Sequence, residues 1–183
     1  ETPPDAMHRL GADWGFSTDP TVMVRSHVIG NKMYVDYEAY QIGCEINDTP
    51  DLFLNSIPDC EKWPCSADSA RPETISYMKK HGFKHMFAAT KGKGSVYEGV
   101  EFLKTYDIVV HPRCVHVADE LASFCWKLDP DTGLITNILS DKKNHLIDAL
   151  RYSNERHRRL AKTMQPTEVM DVPVENRWNR RAG

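Results

Sequence analysis

Apolar and polar residues alternate along the N-terminal part of the chain. In R-L-G-A-D-W-G-F (9–16), Leu10, Ala12 and Trp14 fall on one face of a strand, and Gly11, Asp13 and Gly15 on the other. T-V-M-V-R-S-H-V-I (21–29) is rich in β-branched residues. A turn at Gly30-Asn31 separates it from K-M-Y-V-D-Y-E-A-Y (32–40), which alternates again. The pattern predicts three consecutive antiparallel strands. The period then lengthens. Thr49-Pro50 opens a short helix that Pro58 stops. K-W-P-C-S-A-D-S reads as a short strand, followed by a helix from Arg71-Pro72-Glu73 to Gly82. M-F-A-A-T and D-I-V-V-H-P read as further strands. Between them, Val96, Val100 and Leu103 recur at helical spacing.

A helix is expected over Val117 to Phe124, and a hairpin from Lys127 to Asn137 around D-P-D-T-G. A long helix should start at Asp141 or a neighbour and run through Leu160, with Leu146, Ala149, Leu150 and Ser153 on its packing face. Three antiparallel strands followed by βα units imply one mixed α/β sheet with helices on its faces. We expect 1–8 to be a linker, 9–163 the domain, and 164–183 an extended or mobile tail.

Composition narrows the class. A chain of 183 residues suits one well-buried domain. With 40% hydrophobic and 27% charged residues, it is neither disordered nor fibrous. No apolar run is long enough to span a membrane, and no N-terminal segment resembles a signal peptide. The start at Glu1 rather than Met suggests a fragment or a processed product. The net charge of −3 hides an asymmetry. Lys142 to Lys162 holds seven basic residues against two acidic ones, so the rest of the chain sums to −8. Such a patch suits a polyanion, although a basic helix end is also favoured by the helix dipole. Five cysteines at irregular spacing, with no C-x-x-C, point to reduced thiols and away from a structural zinc site.

Three aspartates stand out. Asp13 sits between glycines that leave room for an ion or a phosphate. Asp68 lies among small residues in C-S-A-D-S-A at a strand end, where it could equally cap the next helix. Asp148 lies three residues after His145, on a stripe beside the packing face of the last helix. Asp141, one heptad earlier, is either a further member of that stripe or a helix cap. Convergent carboxylates suit phosphodiester hydrolysis. Two divalent ions about 3.5–4 Å apart can deprotonate water, neutralise the phosphoryl group and stabilise the leaving oxygen. Hard oxygen ligands favour Mg²⁺ or Mn²⁺.

Taken together, G-A-D-W-G, S-A-D-S-A-R-P and N-H-L-I-D-A-L-R-Y resemble motifs of the nuclease domain of the large terminase subunit of tailed bacteriophages. The likeness runs from about Leu10 to Arg159, and H-x-x-D-A-x-R-Y is its most specific part. The resemblance implies an RNase H-like (retroviral-integrase-like) sheet with an extra β-hairpin beside the site. It implies a metal-dependent endonuclease that cuts concatemeric viral double-stranded DNA during headful packaging in the host cytoplasm. Asp13 would bridge two Mg²⁺ or Mn²⁺ ions, Asp68 and Asp148 would each hold one, and His145 would orient a ligand or move a proton. Lys142, Lys143 and Arg151, with Lys91 and Lys93 in T-K-G-K-G, would hold backbone phosphates. The implied partners are an ATPase domain of the same full-length protein, the small terminase subunit and the portal. This sequence carries no G-x-x-x-x-G-K-[ST] phosphate loop. Three other classes share some of these features: a junction resolvase or transposase core, a sugar-kinase or actin-like half-domain, and a non-enzymatic docking module.

Overall fold

The structure is a computed structural model that describes residues 2–3, 5–123, 126–128, 135–139 and 144–164. β1 (Arg9–Asp13), β2 (Pro20–Ile29) and β3 (Lys32–Ile42) form the antiparallel meander that the alternation predicts. After β3 the chain forms α1 (Thr49–Ser56) and β4 (Cys65–Ala67), and β4 returns parallel to β1. α2 (Pro72–Lys80) leads to β5 (Met86–Ala88), parallel to β4. α3 (Ser95–Leu103) leads to β6 (Asp107–Val110), parallel to β3. The resulting mixed sheet has the order β5-β4-β1-β2-β3-β6. α4 (Val115–Ser123), the antiparallel pair β7 (Trp126–Leu128) and β8 (Ile135–Leu139), and α5 (His145–Met164) complete the described chain.

Helices cover both faces, as expected. On one face, Leu10, Ala12, Trp14 and Met23 pack with Phe53 of α1 and with Ile75 and Met78 of α2. On the other, Val22, Val24, Met33 and Val35 pack with Val117 of α4 and with Leu146, Ala149 and Leu150 of α5. Leu146, Ala149, Leu150 and Ser153 are all buried, so the packing face read from the sequence is the one used.

Register explains two local features. β2 and β3 slip by one residue beside Arg25 and Ser26: Tyr37 lies opposite Arg25 and Val35 opposite Ser26, leaving Asp36 as the extra residue of a β-bulge. The bulge places Asp36 beside Arg25, which grips it through Nε (3.0 Å) and Nη2 (2.7 Å). The second feature is Gly11. A Cβ there would lie 1.8 Å from the carbonyl oxygen of Ala149, so the backbone of α5 rests directly on β1. The glycine makes room for a helix, not for an ion, which corrects the expectation for this face of β1.

The N-terminal segment is tied down more than a free linker would be. Thr2 Oγ1 donates to Asp36 Oδ2 at 2.8 Å, and the His8 ring packs edge-on against Trp63. Burial pushes the Cys60 and Cys114 thiols up to about 12, so they stay protonated. Among the described residues no cysteine is in a disulfide, and no helix is long and apolar enough to cross a membrane. The turn of the hairpin, Asp141, Lys142, Lys143 and the tail from 165 onward lie outside the described residues.

Candidate active site

Parallel pairing of β1 with β4 sets Ala12 opposite Ala67, so Asp13 and Asp68 leave the sheet side by side at neighbouring strand ends. The Asp68 N–H donates to the Ala12 carbonyl at 2.9 Å and extends the ladder by one step. The Trp14 indole N–H donates to the Asp68 carbonyl at 2.9 Å, clamping the two ends together. The Asp68 carboxylate accepts the Ala70 N–H at 3.2 Å and so closes a local turn. It does not cap α2, whose N-cap is Arg71.

α5 lies across β1, β2 and β4 and brings the third acid. Its first turn is fixed by a residue that the sequence reading missed. Glu120 of α4 is only 4% exposed. Its Oε2 accepts the N–H groups of Leu146 and Ile147 at 2.9 and 3.0 Å, giving partners to two of the free donors at the start of a helix. Burial pushes the Glu120 carboxyl upward, and those two hydrogen bonds oppose the push. A glutamate on the apolar stripe of a helix, between Val117 and Leu121, was the available signal.

Thus held, α5 points His145 and Asp148 toward Asp13. His145 Nδ1 donates to Asp13 Oδ2 at 3.0 Å, and His145 Nε2 lies 3.7 Å from Asp19 Oδ1. The bond to Asp13 raises the His145 pKa above its usual 6.5 against the effect of burial, and the charges of Asp13, Asp19 and Glu120 add to the rise. Burial also raises Asp148; Arg151 opposes that shift and the charge of Asp13 reinforces it. Burial pushes the Tyr152 phenol up, and the charges of Asp148, Asp13 and Asp68 all add to the push.

Each acid has its own basic partner within the protein. Asp13 has His145, Asp68 has Lys91, and Asp148 has Arg151 through Nε (3.0 Å) and Nη2 (2.8 Å). This offsets the repulsion of like charges gathered at one sheet end. No three of the ligand atoms of Asp13, Asp68, Asp148 and His145 lie within 4.8 Å of one another. The donors are carboxylate oxygens with one imidazole, a set that suits a hard divalent cation. A cleft of about 200 Å³ opens beside Asp148 and is lined by Lys91, Arg151, Tyr152 and Arg158 among others.

The basic residues divide. Lys91 reaches Asp68 and Lys93 is exposed in the same loop. Arg151 differs from the expectation. It is 7% exposed, spends two nitrogens on Asp148, and fits beside Gly99, where a Cβ would come within 3.1 Å of it. It is committed to positioning Asp148 and offers the cleft only what little of its surface remains exposed. Lys142 and Lys143 lie outside the described residues.

A mixed sheet carrying acids at neighbouring strand ends and on a crossing helix is the arrangement of an RNase H-like nuclease domain. Residues 13–156 match the family described as the terminase RNase H-like domain, and the chain belongs to that family. It is 33% identical over 153 residues to the large terminase subunit of Bacillus phage SPP1, covering 81% of this chain and 36% of that protein. It is 29% identical over 148 residues to the PBSX phage terminase large subunit of Bacillus subtilis, covering 79% of this chain and 33% of that protein. The chain thus spans about a third of the length of these relatives. Its fold superposes on the Mn-bound nuclease domain of the SPP1 large terminase with a TM-score of 0.75 at 33% identity, covering 82% of this chain and 86% of that one. The P22 large terminase nuclease domain shares the fold at a TM-score of 0.67 and 16% identity, covering 87% of this chain and 84% of that one.

Proposed function

We propose that this domain is a metal-dependent endonuclease that cuts concatemeric viral double-stranded DNA during headful packaging. The observation that carries the reading is that Asp13 and Asp68 stand at neighbouring strand ends while α5, which carries Asp148, bonds its His145 to Asp13. The three carboxylates would hold two Mg²⁺ or Mn²⁺ ions. Such ions supply an activated water and charge neutralisation of the scissile phosphate.

The side chains do the rest. Arg151 fixes the Asp148 carboxylate. His145 holds Asp13 in place through Nδ1–H and accepts or returns a proton at Nε2. Lys91 and Lys93, with Lys142 and Lys143, attract backbone phosphates and confer little sequence preference. The partners this reading implies are an ATPase domain in the full-length protein, the small terminase subunit and the portal, working in the host cytoplasm.

The test is plasmid cleavage in Mn²⁺ by the chain and by Asp13→Asn, Asp68→Asn and Asp148→Asn, with circular dichroism as a check on folding. Each variant should keep the fold and lose at least about a hundredfold in rate, because each removes a charge that holds the ions. A folded variant that cuts at the parental rate removes that residue from the site.

A further inference from the structure

At the opposite end of β1 from Asp13, roughly 16 Å away along the strand, the sheet gathers a second set of ligand-type side chains. His8 immediately precedes β1, His27 lies on β2, and Asp36 is the bulged residue of β3. One ring nitrogen of each histidine and one oxygen of Asp36 lie within 4.8 Å of one another. The nitrogens are not used for packing chemistry. Nδ1 of His8 and Nδ1 of His27 are both buried and have no hydrogen-bond partner, and His27 is 3% exposed as a residue. A buried nitrogen left unpaired costs about 1–3 kcal/mol, and proteins seldom tolerate two in contact.

We propose that His8, His27 and Asp36 form a binding site for a borderline divalent cation of the Zn²⁺ type, separate from the nuclease centre. Two imidazoles and a carboxylate are the mixed donors such ions take. Ligand atoms around a tetrahedral zinc stand about 3.4 Å apart at Zn–N distances of about 2.0–2.1 Å. The three ligand atoms lie within 4.8 Å of one another, so closing the set takes at most about 1.4 Å. The surroundings fix each ligand. Arg25 orients Asp36, Tyr34 stacks on the His27 ring at 5.3 Å, and Trp63 backs the His8 ring at 4.9 Å. Oδ2 of Asp36 is taken by Arg25 and Thr2, whereas Oδ1 accepts only the Arg25 Nε among the described residues and keeps a lone pair. The half-buried side of His8 leaves the fourth position to water. The ion would clip the segment ahead of β1 to the β2–β3 bulge. It is therefore a structural staple and not a second reaction centre.

Asp13→Asn/Asp148→Asn protein isolates this site from the nuclease acids. Titrated with Co²⁺, it should bind one equivalent with the visible absorption of a four-coordinate ion, and Zn²⁺ should displace the Co²⁺ and raise the unfolding temperature. Adding His27→Gln, or separately the more exposed His8→Gln, should weaken binding at least about tenfold and abolish the thermal shift. Two results would overturn the proposal: no Co²⁺ or Zn²⁺ binding by the Asp13→Asn/Asp148→Asn protein, or binding that is unchanged by both histidine substitutions.

Discussion

Gly11→Ala puts the contact between β1 and α5 to the test. The added methyl group would lie 1.8 Å from the Ala149 oxygen, 2.8 Å from the Ala149 carbon and 2.9 Å from the Ser153 nitrogen, all of them backbone atoms. Backbone cannot rotate away as a side chain does. Reaching even 3.0 Å, below which real Cβ contacts essentially do not occur, requires α5 to back off by about 1.2 Å. Overpacking of this kind costs typically about 1–3 kcal/mol. At roughly 2–4 °C per kcal/mol for a domain of this size, the unfolding temperature should fall by roughly 2–12 °C. The chemical effect should be larger. His145 and Asp148 ride on α5 and must meet Asp13 on β1. A displacement near 1 Å between catalytic groups costs about a hundredfold in rate. Gly92→Ala is the control, because nothing lies within 4 Å of a Cβ there. The assay pairs calorimetry with plasmid cleavage in Mn²⁺. A Gly11→Ala protein that melts and cuts like its parent would falsify the close-approach argument.

Other consequences can be measured in the same way. Glu120→Ala leaves the Leu146 and Ile147 N–H groups without their carboxylate; it should cost about 2 kcal/mol and lower the unfolding temperature by roughly 4–8 °C, and an unchanged melting curve would refute the cap. Lys91→Met removes the cation paired with Asp68; Mn²⁺ binding followed by electron paramagnetic resonance should tighten about two- to fivefold, as for loss of a half-exposed ion pair, and weaker binding would show that Lys91 is not a competitor. His145 has a raised pKa, so its bond to Asp13 stabilises the metal-free fold fully below pH 6.5 and is lost as pH rises through the higher folded value. The metal-free chain should therefore lose more thermal stability on going from about pH 6 to pH 9 than His145→Gln does, and parallel pH profiles would contradict this.

What the sequence discloses follows from the range of the interactions. In β1 the alternation alone puts Leu10, Ala12 and Trp14 in one core, whereas in β3 the bulge at Asp36 breaks it, so that Met33 and Val35 enter one core and Ala39 the other. The face of α5 is equally plain, because its helical period is strong and Leu146, Ala149 and Leu150 share one stripe. The grouping of Asp13, Asp68 and Asp148 came from small-residue surroundings and motif likeness, since no local pattern links positions so far apart. Two features depend on long-range register and left little trace. Gly11 looked like space for an ion because a helix over 130 residues later in the chain fills that space. Asp36 joins His8 and His27 only because β2 and β3 slip by one residue, and a one-residue slip changes which face a side chain takes.

The order in which the site is assembled has a consequence for synthesis. Asp13 and Asp68 come from the first four strands, and Asp148 from the final helix described here. A ribosome translating this segment delivers two acids well before the third. The nascent polypeptide thus holds only two of the three acids while its earlier strands fold, and the proposed site is complete only once α5 has emerged and seated itself on Gly11.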